Sequence, residues 1–182
     1  MRVWIRTPFS IEKNLGKAYN EEMAMIPEGD AACFIDGDLL FLRHDYGNVL
    51  DHYANKYPDA VLTCRLSRIH PKSTDQLSAF APKSSDLMDH LHYAATKISI
   101  NTVLTAHGAI SGTLLVIPKK VWHQHKFAEK QPYEDRGPHN LLGVDNDWTN
   151  RIRAAGVKIL VIEELYCWHT YRLLTGSKDH LL

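Results

Sequence analysis

The amino-acid sequence predicts a single α/β domain with a mostly parallel central sheet flanked by helices. Strand-like and helix-like periodicities alternate along the chain, which is the pattern of a layered sheet. Ala31-Ala32-Cys33-Phe34-Ile35 is a short unbroken apolar run, as expected of a strand covered on both faces. The 182 residues, 45% of them apolar, suffice for one substantial core and leave little for a second.

Val3 to Thr7 reads as the first strand, stopped by Pro8. Leu15, Ala18, Tyr19, Glu22, Met23 and Ile26 then recur at helical spacing up to Pro27. After the turn Glu28-Gly29-Asp30 comes the strand ending at Asp36. Val49, Leu50, Tyr53 and Tyr57 mark a second helix, closed by Pro58, and Val61 to Leu66 is rich in strand formers. Ser67 to Lys83, punctuated by Pro71 and Pro82, reads as a long surface loop. Ser84 or Ser85 is placed to cap a helix with apolar positions Leu87, Met88, Leu91, Ala94, Ala95 and Ile98. Thr113 to Ile117 is a strand, and Lys119 to His125 a short helix. Phe127 to Leu142 forms a second loop before a helix over about 145–155, which Gly156 ends in the left-handed conformation. Val157 to Ile162 and Leu165 to Trp168 complete the strands. No internal repeat or low-complexity tract is visible.

Lys and Arg total 21, as do Asp and Glu, so no net positive field exists to hold a nucleic acid by charge. Cys33, Cys64 and Cys167 are an odd, widely spaced set without a Cys-x-x-Cys pair, the pattern of core thiols in a reducing compartment. The apolar run ending at Pro8 is too brief for a signal peptide, and no later run approaches membrane-spanning length. A soluble, cytoplasmic protein is expected.

Three clusters carry chemistry. In Phe34-Ile35-Asp36-Gly37-Asp38-Leu39-Leu40-Phe41 two carboxylates leave the carboxyl end of an apolar strand, where open α/β sheets bind ligands. Neighbouring carboxylates repel each other, so a divalent cation is their natural partner, and Gly37 lets backbone approach a phosphate. An ordinary acidic turn gives the same pattern. In Gly143-Val144-Asp145-Asn146-Asp147-Trp148 two acids open a helix, where they also serve as capping groups. In Trp168-His169-Thr170-Tyr171-Arg172 an imidazole able to ligate a metal and a guanidinium able to pair with phosphate leave the last strand together. His169 is one of eleven histidines, and His123-x-His125 would point to different faces of a helix.

The order of these motifs resembles the family-two glycosyltransferases of the GT-A fold, a Rossmann-like architecture, and their polypeptide N-acetylgalactosaminyltransferase relatives. Asn14-Leu15-Gly16-Lys17-Ala18-Tyr19-Asn20 resembles the family's Asn-x-Gly helix start, and Phe34 to Phe41 its Asp-x-Asp strand end. Ser111-Gly112-Thr113-Leu114-Leu115-Val116-Ile117 resembles the small-residue strand behind the donor sugar. Asp145-Asn146-Asp147 with Arg151-Ile152-Arg153-Ala154-Ala155-Gly156 resembles the acceptor-side acidic motif, and Trp168-His169-x-Tyr171-Arg172 the closing metal-histidine segment. The likeness runs from Asn14 to Arg172. It departs at Val144, where the family has a glutamate, and at the start, where only Met1 to Lys13 precede the Asn-x-Gly helix.

The resemblance implies a GT-A-like domain over 1–182 and a sugar transferred from a nucleotide-sugar, UDP-linked by preference, to an acceptor hydroxyl with inversion. It implies that Asp38 and His169 ligate Mn²⁺, or else Mg²⁺, with Asp36 on the ribose or the metal shell. Thr7, Pro8, Asn14, Gly37, Gly112 and Arg172 fall to the donor, with Phe9 beside the base. Asp145 falls to the general base, and Asp147 and Trp148 to acceptor or sugar. Trp148 also reads, somewhat better, as a core-packing residue. The short start implies either that Val3 to Thr7 replaces the family's first strand or that a second chain completes the donor site. The two long loops are expected to act as a lid. Two other readings stand beside this one: a haloacid-dehalogenase-like phosphatase, which pairs aspartates in the same way but continues with Gly-Thr where Leu39-Leu40 stand here, and a non-catalytic sugar- or nucleotide-binding subunit.

Overall fold

The computed structural model describes residues 1–12, 14–69, 74–78, 80–97, 101–108, 110–129 and 143–170. Its strands are β1 (Val3–Arg6), β2 (Ala31–Ile35), β3 (Leu39–Phe41), β4 (Val61–Leu66), β5 (Val103–Thr105), β6 (Leu114–Pro118) and β7 (Ile159–His169). The helices are α1 (Leu15–Met25), α2 (Tyr46–Lys56), α3 (Leu87–Lys97), α4 (Lys119–Gln124) and α5 (Val144–Ala154). One sheet takes the order β1-β2-β6-β4-β7-β3, and β5 lies on the same edge of β7 as β3 but against its first half.

The expected α/β class is present, but the sheet is mixed. Only β1–β2 and β4–β7 pair parallel, while β2–β6, β4–β6, β3–β7 and β5–β7 pair antiparallel. The physical reason is that an unbroken apolar run reports burial on both faces, not direction. β2 and β6 are both such runs, buried along their length, and they run opposite ways. Val157 to Ile162 and Leu165 to Trp168, expected as two strands, belong to the single strand β7, whose pairing with β4 shifts register after Cys64.

Strand alternation divides the interior into two layers. Ala32, Phe34, Leu115, Ile117, Val61 and Val161 face α1, α4 and α5 and pack with Tyr19, Met23, Trp122, Trp148 and Ile152. Ala31, Cys33, Val116, Leu62, Cys64 and Ile162 face α2 and pack with Val49, Leu50, Tyr53 and Ala54. The three cysteines are buried and unpaired, and burial pushes the Cys33 and Cys64 thiols up.

Local chemistry fixes the helix ends. Asn14 caps α1 by accepting from Lys17 N at 3.0 Å. Two residues on, Gly16 meets the neighbouring chain so closely that a Cβ there would fall 2.0 Å from the Ala128 carbonyl oxygen. The other end of α1 is closed by the buried Lys119, whose Nζ donates to the Met23 and Ala24 carbonyls at 2.6 and 3.1 Å, a cation where the helix dipole is negative. Helix α3 is capped by Asp86, not by a serine: Asp86 Oδ1 accepts from Met88 N, while Ser84 Oγ accepts from Asp86 N. Gly156 takes a φ of +88°, as expected after α5.

The Ser67 to Lys83 segment is pinned at Asp75 and Gln76. Gln76 is fully buried; its Nε2 donates to Thr63 Oγ1 and the Ser111 carbonyl, and its Oε1 accepts from Ser111 N. Asp75 Oδ2 accepts from His107 N and Gly108 N, which hold its carboxyl below the usual range. Within the expected lid segment, Asp75 and Gln76 are thus tied to β4 and to residues 107–111. The other expected lid segment lies outside the described residues over 130–142.

A polar network ties α2 to β7. Glu164 accepts from Tyr53 Oη at 2.6 Å and from Arg43 Nη1 at 2.7 Å, and Arg43 also pairs with Asp45. Burial alone would raise the Glu164 carboxyl, but the bonds from Tyr53, Arg43 and Asn101 N outweigh it and hold the carboxyl below its ordinary value. A depressed carboxylate contributes stability above its unfolded value, about 4.3, and that stability is lost as pH falls through the lower folded value. Glu164→Ala should cost about 3 kcal/mol in urea denaturation at pH 7, because it leaves a buried tyrosine hydroxyl and part of a guanidinium unpaired. The difference from wild type should shrink at acid pH.

Candidate functional site

Strands β1, β2, β4 and β7 all run in one direction and β6 runs against them, so four carboxyl ends and the start of β6 meet along one rim. That rim carries Thr7 and Pro8 after β1, Asp36 to Asp38 after β2, Ser67 and Arg68 after β4, Ser111 to Thr113 before β6, and His169 at the end of β7. Ligands bind at such edges because side chains from several strands converge there around free backbone groups.

Asp36, Asp38 and His169 form one cluster: a ligand atom from each lies within 4.8 Å of the other two. Backbone pairing sets this up. Leu39 stands opposite His169 in the β3–β7 register, and Thr170 N donates to the Asp38 carbonyl at 3.1 Å. On the other side, Asp36 N donates to the Thr113 carbonyl at 3.0 Å. Thr170 Oγ1 donates to Asp38 Oδ2 at 3.0 Å, which leaves Oδ1 turned toward His169 Nε2 at 3.3 Å.

The imidazole is buried and its orientation is fixed. His169 Nδ1 lies 2.8 Å from the Arg68 carbonyl oxygen, and its backbone N donates to Ser67 Oγ at 3.0 Å. A carbonyl only accepts, so Nδ1 carries a proton, and Nε2 is the ring nitrogen turned toward Asp38. Nε2 and Asp38 Oδ1, 3.3 Å apart, can share a proton as an ion pair or hold a cation between them. Donors at right angles around a first-row cation, each at about 2.1 Å, lie about 3 Å apart, so the pair fits a metal. Two carboxylates and one imidazole held through Nδ1–H by a carbonyl are three donors that could hold such an ion.

A third carboxylate stands next to this cluster. Asp145, at the start of α5, accepts from Gly112 N at 2.6 Å, one residue from the Thr113 carbonyl that holds Asp36. Gly112 sits in a tight place: a Cβ would meet Tyr19 Oη at 3.0 Å and Asp145 Cβ at 3.1 Å, so these neighbours would have to give by a few tenths of an ångström. Burial pushes the Asp145 carboxyl up, against the lowering effect of its backbone bonds. Asp36 is exposed by area, yet the protein crowded around it also pushes its carboxyl up; His169 and the Thr113 hydroxyl oppose this, while Asp38 and Asp145 add to it. Tyr19 is pushed up by burial and by Asp145 and Asp36, so its hydroxyl stays neutral beside them.

The other expected site residues fare differently. Trp148 is fully buried, stacked on Phe127 with ring centroids 4.5 Å apart and its indole N–H given to the His125 carbonyl, so it has no face for an acceptor. Asp147 turns to Arg151 at 2.9 Å, an i,i+4 ion pair that occupies its carboxylate. Asn14 is occupied by its cap and by donation from Nδ2 to the Glu129 carbonyl at 2.7 Å. Gly37 has nothing within 4 Å of its Cβ position and stands open. Thr7 is exposed, Pro8 is half-buried, and Phe9 is 80% exposed. Arg172 lies outside the described residues.

Ser67, Arg68, Thr113 and Tyr19 were not singled out from the sequence. Ser67 and Arg68 directly follow the strand-like run Val61 to Leu66, and the rule that drew attention to Asp36 would have reached them.

Compared with known proteins, the chain matches no protein-family model and no curated protein.

An acid whose carboxyl is raised on folding contributes stability below its unfolded value, about 3.9, and loses it as pH rises through the folded value. At pH 7 the charged Asp145 therefore weighs against the fold. Asp145→Asn keeps the oxygen that accepts from Gly112 N and should melt above wild type at pH 7 by differential scanning calorimetry. A lower melting temperature would contradict the burial argument.

Proposed function

We propose that the protein is a metal-dependent glycosyltransferase that moves a sugar from a nucleotide-diphosphate sugar, with UDP as the first candidate nucleotide, to an acceptor hydroxyl. The observation that supports this reading is the meeting of Asp36, Asp38 and His169 in one cation-sized cluster with Asp145 on the adjoining Gly112-Thr113 segment. Asp36, Asp38, Asp145 and His169 come from three separate stretches of the chain, and they are the ones that the GT-A resemblance assigned to the metal, its shell and the base.

In this reading Asp38 and His169 hold the cation, and Asp36 completes its shell or takes the donor ribose. The bound cation would neutralise the leaving nucleoside diphosphate. A mixed oxygen and nitrogen donor set favours Mn²⁺ over Mg²⁺, which prefers oxygen ligands and retains its waters. Asp145 accepts the proton of the acceptor hydroxyl as that oxygen bonds to the anomeric carbon. The bond from that carbon to the diphosphate oxygen breaks, its electron pair leaves with the diphosphate, and the configuration inverts. A carboxylate raised by burial is a stronger base than an exposed aspartate, which suits this task.

Isothermal titration of UDP should show binding that requires Mn²⁺ and is weakened at least tenfold by Asp38→Ala. Folded wild-type protein that binds neither Mn²⁺ nor UDP would sink the proposal. Once a donor and acceptor are found, Asp145→Asn should lower kcat by about 10²- to 10⁴-fold and leave UDP binding within about twofold of wild type. Intact binding with no transfer to any acceptor by the wild type would favour the non-catalytic binding subunit.

A further inference from the structure

Arg68 is 4% exposed, and neither Nη1 nor Nη2 of its guanidinium has a hydrogen-bond partner. The other well-buried or partly buried cations near the sheet are satisfied. Lys119 donates to two carbonyls, Arg43 pairs with Asp45 and Glu164, and Arg65 meets Glu163 and the carbonyls of Asp75 and Leu77. Arg153 lacks a partner only at Nε, since its Nη2 donates to the Gly108 carbonyl at 2.7 Å. Among the described residues Arg68 is the one arginine with both terminal nitrogens buried and unpaired.

Its position in the chain removes the simplest structural explanation. Ser67 and Ile69, on either side, are engaged: Ser67 N donates to the Cys167 carbonyl, and Ile69 packs in the α2-side core. The Arg68 carbonyl is itself the group that orients the His169 imidazole, at 2.8 Å. Arg68 thus belongs to the rim by its backbone, and its side chain is a permanent charge withdrawn from water without a counter-ion. Such a group is costly to keep unless an anion completes it in the working state.

We infer that Arg68 is the receptor for a phosphate group, bound through its Nη1/Nη2 fork on the same rim as the Asp36, Asp38 and His169 cluster. The planar fork matches two phosphate oxygens, which a lysine ammonium does not. The acids of the rim would repel a bare anion, so the ligand that fits is one whose phosphates also take a divalent cation: a diphosphate. The assignment rests on reading the cluster as a cation site, and it names a second, independent hold on the same ligand.

The test uses the whole chain, Mn²⁺ and inorganic pyrophosphate. Mn²⁺ binding alone is followed by electron paramagnetic resonance, pyrophosphate binding by calorimetry, and stability by melting temperature. Arg68→Met is expected to bind Mn²⁺ within twofold of wild type, to lose at least tenfold in pyrophosphate affinity, and to melt no lower than wild type without ligand. Arg68→Lys should recover only part of the affinity. A purely structural guanidinium would instead make Arg68→Met melt well below wild type, and that result overturns the inference. It is equally overturned if Arg68→Met binds Mn²⁺ and pyrophosphate as wild type does, or if wild type binds Mn²⁺ but no pyrophosphate. If wild type binds no Mn²⁺, it is the cation reading that fails. Metal-free pyrophosphate binding that vanishes in Arg68→Met then still supports the assignment to Arg68, and no binding at all overturns both.

Discussion

The segment Ser111-Gly112-Thr113 leaves its neighbours almost no freedom. Ser111 exchanges two hydrogen bonds with the Gln76 side chain, Gly112 N holds Asp145, and the Thr113 carbonyl holds the backbone of Asp36. The next residue, Leu114, receives the Thr63 hydroxyl on its carbonyl and opens β6 between β2 and β4. Because β6 runs against both neighbours, its amino end falls where their carboxyl ends finish. Had the sheet been parallel throughout, this segment would have lain at the opposite edge, and Asp145 would have had no backbone donor beside Asp36. The antiparallel strand is therefore what assembles the acids.

The same constraint explains what could be read from the residues and what could not. The helices, the two-sided burial of Ala31 to Ile35 and the turn at Asp36-Gly37-Asp38 follow from periodicity and from apolar runs, both of which are local. Strand direction is not local: it depends on where the chain returns, and residues 114–118 look the same run either way. β3 and β5 span three residues each, too few for a period, and exist because β7 is long enough to offer its outer edge to both. Trp148 was readable. It shares the i, i+4, i+8 spacing with Val144 and Ile152, and all three are buried. Its neighbour Asp145 is one residue off that stripe and so reaches the rim. The Asn14-x-Gly16 motif likewise has a local structural purpose here, a cap followed by a close approach to residue 128.

Much of the site is held by backbone atoms. The carbonyl of Arg68 orients His169, the carbonyl of Thr113 holds Asp36, and the amide of Gly112 holds Asp145. Backbone donors and acceptors are present whatever the side chain, so the site's geometry follows from strand register more than from residue identity. What identity supplies is permission, as at Gly112, where a side chain would crowd Tyr19 and Asp145. This division accounts for the unequal visibility of the two parts: the acids and the histidine announce themselves in a sequence, and the carbonyls that aim them do not.

The charges on the rim also set its energetics. Asp36 and Asp145 are raised by burial, Asp36 also by Asp38 and Asp145, and Arg68 is buried without a partner at either terminal nitrogen. Each arrangement costs stability in the free protein, whereas charges elsewhere are arranged to stabilise: Glu164 with Tyr53 and Arg43, Asp75 with two backbone amides, Lys119 at the end of α1. The contrast lies within one chain and one sheet, so it is not a general looseness of packing. On the proposed reading the counter-ions of these charges arrive with the ligand: a cation for the acids and the histidine, an oxyanion for the guanidinium. A cation-bound diphosphate supplies both at once, which is why the acidic cluster and the buried arginine support one ligand more strongly together than either does alone.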